Sequence, residues 1–157
     1  MIIRDVLLTA GILFLLYVAY EIWWTNVTSK HATNVTIGEI HRNWNRPQSP
    51  THVITFGEGF ALLYIPKLGA SVHGLPIVQG TSKDALAKGA GHYSSSDLPG
   101  VSGNFAIAGH RSTHTEPFAH IDLLRAGDYA YVQTRDKWFK YKFVSSAIVT
   151  PQSLWVV

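Results

Sequence analysis

Apolar residues are concentrated at the start of the chain, in one run from Val6 to Trp24. The run holds about 19 residues and a single charge, Glu21. As a helix rising about 1.5 Å per residue it would extend roughly 28 Å, close to the hydrocarbon thickness of a bilayer. Trp23 and Trp24 stand at its far end, where aromatic side chains collect at a membrane–water interface. No small-residue cleavage site follows, as a signal peptide would need. The pattern predicts a membrane anchor over residues 1–24.

Polar residues follow the anchor as far as Thr51, with few aliphatic side chains among them. This composition predicts a stalk over residues 25–51, with at most one helical turn, that holds a domain away from the membrane. Arg4 on the short N-terminal side favours that side in the cytoplasm, although Lys30 and Arg42 lie beyond the anchor. We therefore expect a single-pass protein of the cell membrane whose domain faces the extracellular side.

Residues 52–157 alternate between short β-rich runs and turn residues, the pattern of a mostly-β domain. In the last run Phe139, Tyr141 and Phe143 alternate with lysines, as in a strand with one buried face. One short helix is predicted in TSKDALAKG, where a hydroxyl residue can cap the first turn. These elements predict a β-barrel or sandwich with few helices. The strand-forming runs are FALLYIPKLG, SVHGLPIVQG, NFAIA, YAYVQT and WFKYKFVSSAIVTP.

Charge and cysteine content limit the chemistry that this chain can carry. The 13 Lys and Arg residues barely exceed the 10 Asp and Glu residues, and no basic cluster occurs, so we expect no nucleic-acid binding. The sequence contains no cysteine. Within these residues there is therefore no disulfide, no thiolate zinc site and no cysteine nucleophile. The candidate chemistry lies in the eight histidines.

His110, His114 and His120 lie close together in the sequence and raise the question of a metal site. A His-x3-His pair suits zinc when both residues lie one turn apart on a helix, but here a predicted strand and loop hold them. We expect no metal and no cofactor; a histidine metal site remains an alternative that a metal assay on the domain tests. His110 stands out because an apolar strand and Gly109 precede it, a position that active sites favour. The other histidines are expected in structural or surface positions, with His92 capping a loop.

The central stretch GHYSSSDLPGVSGNFAIAGHRSTHTEPFAHIDLLRAGD resembles sortases, particularly class E and the related class D. The family's glycine-histidine motif after a helix, its LPG and GN-x4-GHR motifs and its closing GD turn occur here in the same order and at compatible spacing. Upstream, YIPKLGASVHGLPIVQG resembles the family's opening strands, and an N-terminal anchor followed by a stalk is the family's layout. The resemblance covers about Phe60 to Pro151.

The resemblance implies a membrane-anchored cysteine transpeptidase of a Gram-positive bacterium, built on a closed β-barrel. Such an enzyme cleaves a C-terminal sorting signal of the LPxTG or LAxTG kind between Thr and Gly. It passes the acyl group to an amine on a peptidoglycan precursor or a pilin. The implied partners are these substrate proteins, the acceptor amine and the lipid bilayer. His110 matches the family's catalytic histidine, which acts as general acid and base.

Two other catalytic residues of the family, a Cys in a TLxTC motif and an Arg on the next strand, have no counterpart in these residues. Arg111 adjoins His110 on the same strand end and would point the other way, so we expect it at the rim of the site. We therefore expect a sortase barrel cut off before its last strands, poorly stable and without transpeptidase activity. The alternative is a degenerate sortase, a membrane-tethered β-domain that binds extended peptides without catalysis.

Overall fold

The centre of the protein is one six-stranded sheet, curled into a half-barrel, in a computed structural model that describes residues 2–47, 52–150 and 153. The helices and strands, in chain order, are α1 (Ile2–Trp44), β1 (Gly59–Tyr64), β2 (His73–Gln79), α2 (Lys83–Lys88), β3 (Ala90–His92), β4 (Ile107–Ala108), β5 (Tyr129–Gln133) and β6 (Trp138–Lys142). The strand order is β4-β3-β2-β1-β5-β6, and neighbours are antiparallel except β2 and β3. The expected mostly-β fold with few helices is confirmed.

The concave face of the sheet carries the hydrophobic core. Leu63, Ile77 and Val132, from the neighbouring strands β1, β2 and β5, are at most 1% exposed. The turn Pro66–Val72 adds apolar side chains to the same cluster, and Phe118 joins it from the segment after β4. Because each buried apolar side chain stabilises the fold by about 1.5–3 kcal/mol, this cluster holds the central strands together and fixes where β4 ends.

The Ser, Pro and Gly content of residues 91–103 predicts a loop. This prediction is wrong at its start, because residues 91 and 92 belong to β3. Ala90–His92 pair in parallel with β2. Gly91 permits this pairing, because a Cβ there would lie 2.5 Å from the carbonyl oxygen of Gly80. The glycine therefore marks a close approach of two backbones rather than a turn. The preceding helix is confirmed, since the hydroxyl of Ser82 accepts a hydrogen bond from the backbone N–H of Ala85 at 3.2 Å.

The expected stalk is also corrected, because α1 continues unbroken through 43 residues to Trp44. The segment after the apolar run is helical, and it packs against α2, β1 and β2 of the domain. Ser29, Thr36 and Ile40 are buried on the face of α1 that meets the domain. Tertiary packing of one face stabilises a helix that polar composition alone does not predict.

The seat of α1 on the domain depends on a glycine at the start of β1. A Cβ at Gly59 would lie 2.7 Å from Cγ2 of Thr36 and 2.9 Å from Cδ1 of Ile40, so only glycine lets the helix approach this closely. One turn earlier, the hydroxyl of Thr33 donates a hydrogen bond to the carbonyl of Lys88 at 2.9 Å. Packing and hydrogen bonding together attach α1 to both β1 and the end of α2.

The apolar half of α1 has different surroundings. Its most apolar window of 18 residues has a mean hydropathy of 2.0, and none of that window is buried. By length and composition α1 is the one helix within residues 2–47, 52–150 and 153 that could cross a membrane. Tyr20, Trp23 and Trp24 form a cluster of rings at the end of this half, where the sequence analysis places the membrane interface.

Candidate active site

His110 lies just beyond the end of β4, and the chain around it is fixed by Phe118. A Cβ at Gly109 would lie 2.4 Å from a ring carbon of Phe118, so glycine allows the backbone to pass over this ring. The backbone N–H of Phe118 donates a hydrogen bond to the carbonyl of His110 at 3.1 Å. Residues 110–118 therefore form a loop that is closed at its base against the core.

The imidazole of His110 has one partnered nitrogen and one unpartnered nitrogen. Its Nδ1 lies 3.1 Å from Oγ1 of Thr113. Its Nε2 is buried and has no hydrogen-bond partner among the residues that the structure describes. Leaving a buried polar atom unpaired costs about 1–3 kcal/mol. Such an atom in a folded protein therefore needs an explanation, and a functional role is one of the few available.

His114 stacks on one face of the His110 ring. The two ring centroids are 4.3 Å apart and the planes differ by 18°. Burial lowers the pKa of His110 below its ordinary value of 6.5, and repulsion from His114 lowers that pKa further. His110 is therefore held in its neutral form, with a ring nitrogen able to accept a proton, at neutral pH.

The loop that carries His114 has an unusual backbone. His114, Thr115 and Glu116 have φ values of 53°, 66° and 50°, a left-handed region that non-glycine residues rarely adopt. The backbone N–H of Thr115 donates a hydrogen bond to the side-chain oxygen of Asn26 on α1, at 3.2 Å. Strained conformations persist only where surrounding structure holds them, and here α1 supplies one of the holding contacts.

Arg111 and His120 lie at the surface beside this loop. The guanidinium of Arg111 is 3.0 Å from the carboxylate of Asp122, and both side chains are mostly exposed, as expected for a residue at the rim. His120 is exposed and precedes the short turn Ile121–Leu123. Within residues 2–47, 52–150 and 153, no group of three or more His, Cys, Asp or Glu side chains could hold a metal ion.

A groove of about 650 Å³ opens on the concave side of the sheet beside the loop. Gly109 and Arg111, the two neighbours of His110, both line it. An open groove with apolar walls and a few polar groups at one end suits a ligand with apolar side chains, such as a peptide segment. The apolar wall residues are Leu63, Ile65, Phe105, Ala106, Ile107, Ala108, Phe118, Ile121 and Ala130.

The motifs in the sequence point to His110 but not to the residues that surround its ring. The sequence analysis places His114 at the surface, although the His-x3-His spacing already brings the two rings into the same short loop. Thr113 carries no signal of its own, because a single threonine in a loop is unremarkable. Asn26 could not be identified, since its contact with Thr115 spans 89 positions of the sequence.

The chain is similar to known proteins of one family in both sequence and fold. A family model described as a sortase domain matches residues 63–157. The chain is 40% identical to sortase SrtE1 of Streptomyces coelicolor over 158 residues, an alignment that covers 96% of this chain and 44% of that protein. Sortase SrtE2 of the same organism is 30% identical, and the alignment covers 90% of this chain and 60% of that one. The chain thus spans about half the length of the curated relatives it matches.

Solved structures share the half-barrel. Sortase E from Streptomyces avermitilis matches with a TM-score of 0.60 and 38% identity, over 64% of this chain and 66% of that one. A sortase D5 transpeptidase from Clostridium perfringens matches with a TM-score of 0.69 and 31% identity, over 78% of each chain. The resemblance to classes E and D that the central motifs carry is confirmed. The chain belongs to the sortase family.

Proposed function

We propose that this chain provides the anchor, the substrate groove and the catalytic histidine of a sortase transpeptidase. The proposed substrate is a protein with a C-terminal LPxTG- or LAxTG-type signal, which is cleaved between Thr and Gly. Family membership supports the reaction type. The observation that supports His110 is its buried Nε2, which has no partner among the described residues. The residues before and after His110 in the chain, Gly109 and Arg111, line the groove.

The proposed chemistry assigns both proton transfers to His110. A cysteine thiolate attacks the Thr carbonyl, the bond to the Gly nitrogen breaks, and a thioester forms. His110 takes the proton that the thiol loses on forming the thiolate, gives it to the leaving amine, and later takes one from the incoming amine of a peptidoglycan precursor or pilin. The lowered pKa of His110 favours the second step, because its neutral form is the one that accepts a proton.

The proposed nucleophile is not among these residues, since the 157 residues contain no cysteine. We therefore expect a chain of these residues alone to be inactive, because no other side chain replaces a thiolate in thioester formation. Mass spectrometry after incubation with an LPxTG-type peptide is expected to show the unmodified chain. A peptide adduct that hydroxylamine releases would contradict this expectation.

A chimera tests the role of His110. Residues 1–157 are joined to the later strands of the 40% identical Streptomyces coelicolor sortase, which are to supply the thiol. The chimera is expected to cleave a quenched-fluorescent LAxTG peptide, and His110→Ala to lower the rate by on the order of 100-fold or more. His120→Ala is the matched control and is expected to keep the rate. A folded but inactive chimera would count against the proposed function, and an active His110→Ala chimera against the residue assignment.

We further propose a single-pass arrangement with an anchor at residues 1–24, a juxtamembrane segment at 25–51 and the sortase domain at 52–157 outside the cell. The exposed apolar half of α1 supports the anchor, and the short N-terminal side supports the direction. The chain has no cysteine, so single reporters are specific. A membrane-impermeant maleimide is expected to label Lys83→Cys and to leave Ile2→Cys unlabelled in intact cells. The reverse pattern would invert the topology.

The second candidate function is a non-catalytic, membrane-tethered domain that binds peptides in the same groove. The absence of cysteine from these residues favours it. The gene sequence immediately downstream separates the two candidates. An in-frame TLxTC motif followed by an Arg on the next strand supports the enzyme, whereas a stop codon supports the binding domain.

A further inference from the structure

Thr113 lies between two imidazole rings. Its Oγ1 is 3.1 Å from Nδ1 of His110 and 3.0 Å from Nδ1 of His114. The same two rings are stacked with centroids 4.3 Å apart. One hydroxyl therefore contacts both histidines on the nitrogen that faces away from the unpartnered Nε2 of His110.

The number of protons on these three groups is limited by the hydroxyl. A threonine O–H has one proton to donate and lone pairs to accept with. When the hydroxyl donates to Nδ1 of one ring, that nitrogen must be unprotonated. The hydroxyl oxygen can then accept a hydrogen bond from the other ring only if Nδ1 of that ring carries a proton. A positively charged His114 directs the hydroxyl proton to His110, which then carries its own proton on Nε2. A positively charged His110 reverses the direction.

The charged side chains near His110 and His114 are not paired with either of the two rings among the described residues. Arg111 is paired with Asp122. Glu116 and His120 are exposed on the same loop and the following turn, and Lys30 of α1 lines a cavity on the loop's other side. None of these five side chains makes a hydrogen bond or ion pair with either ring in the part of the chain that the structure describes. The titratable group closest to each imidazole is therefore the other imidazole.

We propose that His114 and Thr113 are positioning residues for His110, and that the two imidazoles share one positive charge through the Thr113 hydroxyl. Protonation of either ring holds the other neutral and sets which of its nitrogens carries the proton. Stacking at 4.3 Å opposes a second charge, because two imidazolium rings repel each other at this distance.

The catalytic role of this histidine pair depends on the proposed transpeptidase function. The two transfers need two forms of His110: one that carries a proton on Nε2 for the leaving amine, and one with a free Nε2 lone pair for the incoming amine. When Nε2 of His110 gives its proton to the leaving amine, the hydroxyl proton of Thr113 moves to Nδ1 of His110 and the Nδ1 proton of His114 moves to Thr113. His114 thereby loses the positive charge, no anionic ring forms, and His110 is left neutral with a free Nε2 lone pair. The reverse shift follows when Nε2 takes a proton from the incoming amine. The lowered pKa of His110, to which His114 contributes, is consistent with a shared charge.

Nuclear magnetic resonance of histidine-labelled chain in lipid nanodiscs tests the pairing directly. His114→Phe keeps a stacked ring but removes the charge, so the titration of His110 is expected to shift to higher pH. His120→Phe is the matched control and is expected to leave that titration unchanged. Thr113→Val is expected to change the Nδ1 and Nε2 shifts of His110, and Thr113→Ser, which retains the hydroxyl, to restore them.

The signals of the buried His92 report whether the sheet is intact in each variant. If a substitution unfolds the protein, the titration of the unsubstituted chain still tests the proposal. A shared charge requires the Nδ1 shifts of His110 and His114 to change over the same pH range. Independent titration of the two rings, or an unchanged His110 titration in folded His114→Phe, would overturn the proposal. The readout needs no thiol. An inactive chimera would thus contradict the proposed function alone, and an active chimera with independent rings would contradict the pairing alone.

Discussion

Two Gly-His dipeptides occur on neighbouring strands, one at the end of β3 and one just after β4, and their surroundings are opposite. Gly91-His92 ends β3, and Gly109-His110 follows its antiparallel neighbour β4. His92 is 1% exposed and lies against the rings of two phenylalanines. Both of its nitrogens have partners: Nδ1 lies 2.8 Å from Oε1 of Gln79, and Nε2 lies 3.1 Å from the hydroxyl of Ser96.

The Gly-His dipeptide therefore does not determine the role of its histidine. His92 uses all of its hydrogen-bonding capacity to join β2, β3 and the loop that follows, so it is a structural residue. His110 keeps one buried nitrogen without a partner in the described residues, so it is available for chemistry. The number of partnered nitrogens separates the two roles where the sequence pattern cannot.

The largest effect is expected from removing the structural histidine. His92→Ala leaves a cavity and removes the partner of the Gln79 side chain, and we expect the free energy of unfolding to fall by about 3 kcal/mol. His110→Ala removes an unpartnered nitrogen and is expected to change that free energy much less. Denaturant unfolding of the chain in detergent, followed by tryptophan fluorescence, measures both. Equal losses would remove the distinction between the two histidines.

The second-largest effect is expected from replacing the glycines of the two dipeptides, Gly91 and Gly109, which are expected to lose different amounts of stability. Gly91→Ala places a methyl group against a backbone oxygen, whereas Gly109→Ala places one against the ring of Phe118, which can move. We expect each to cost on the order of 2 kcal/mol, with Gly91→Ala the larger. Adding Phe118→Leu is expected to recover part of the loss only in Gly109→Ala. Recovery in both variants, measured by the same unfolding experiment, would show that the two clashes are not separate.

A smaller effect is expected at the contact between α1 and the His110 loop. Asn26→Ala removes the acceptor for the Thr115 N–H, and we expect a loss of about 1 kcal/mol in the free energy of unfolding. Hydrogen exchange of residues 113–118 is expected to accelerate while exchange of β3 stays unchanged. Asn34→Ala, an exposed position on the same helix, is the control. Unchanged exchange in Asn26→Ala would show that α1 does not hold the loop.

The smallest effect is expected from pH. Burial lowers the pKa of His110 from 6.5, so the unfolded chain binds this proton more readily than the folded chain. The contribution of His110 to stability is therefore complete above its ordinary pKa and is lost as pH falls through the lower, folded-state pKa. Unfolding free energies measured between about pH 7.5 and pH 5 are expected to slope less in His110→Phe than in the unsubstituted chain. An equal slope would assign the dependence to other groups.

Local patterns in the sequence were sufficient for part of this structure. Ser82 as a helix cap and the strand β6 depend on residues a few positions apart, and both occur as expected. The buried face expected of β6 is not formed in full, because Phe139 is half-buried and Tyr141 is exposed. The helical second half of α1 and the strand β3 depend on packing against distant segments, so composition gave the wrong result for each. The same limit applies to the site, where His110 follows from its motif and the contact from Asn26 does not.

The continuous helix also joins the site to the apolar half of α1. Asn26 lies two residues beyond Trp24, roughly 3 Å further along the helix axis, and its side chain holds the loop that carries His114 and neighbours His110. No break in α1 separates the apolar half from this contact. A change in the tilt of that half therefore moves the loop beside His110, unless α1 bends or Thr115 releases Asn26.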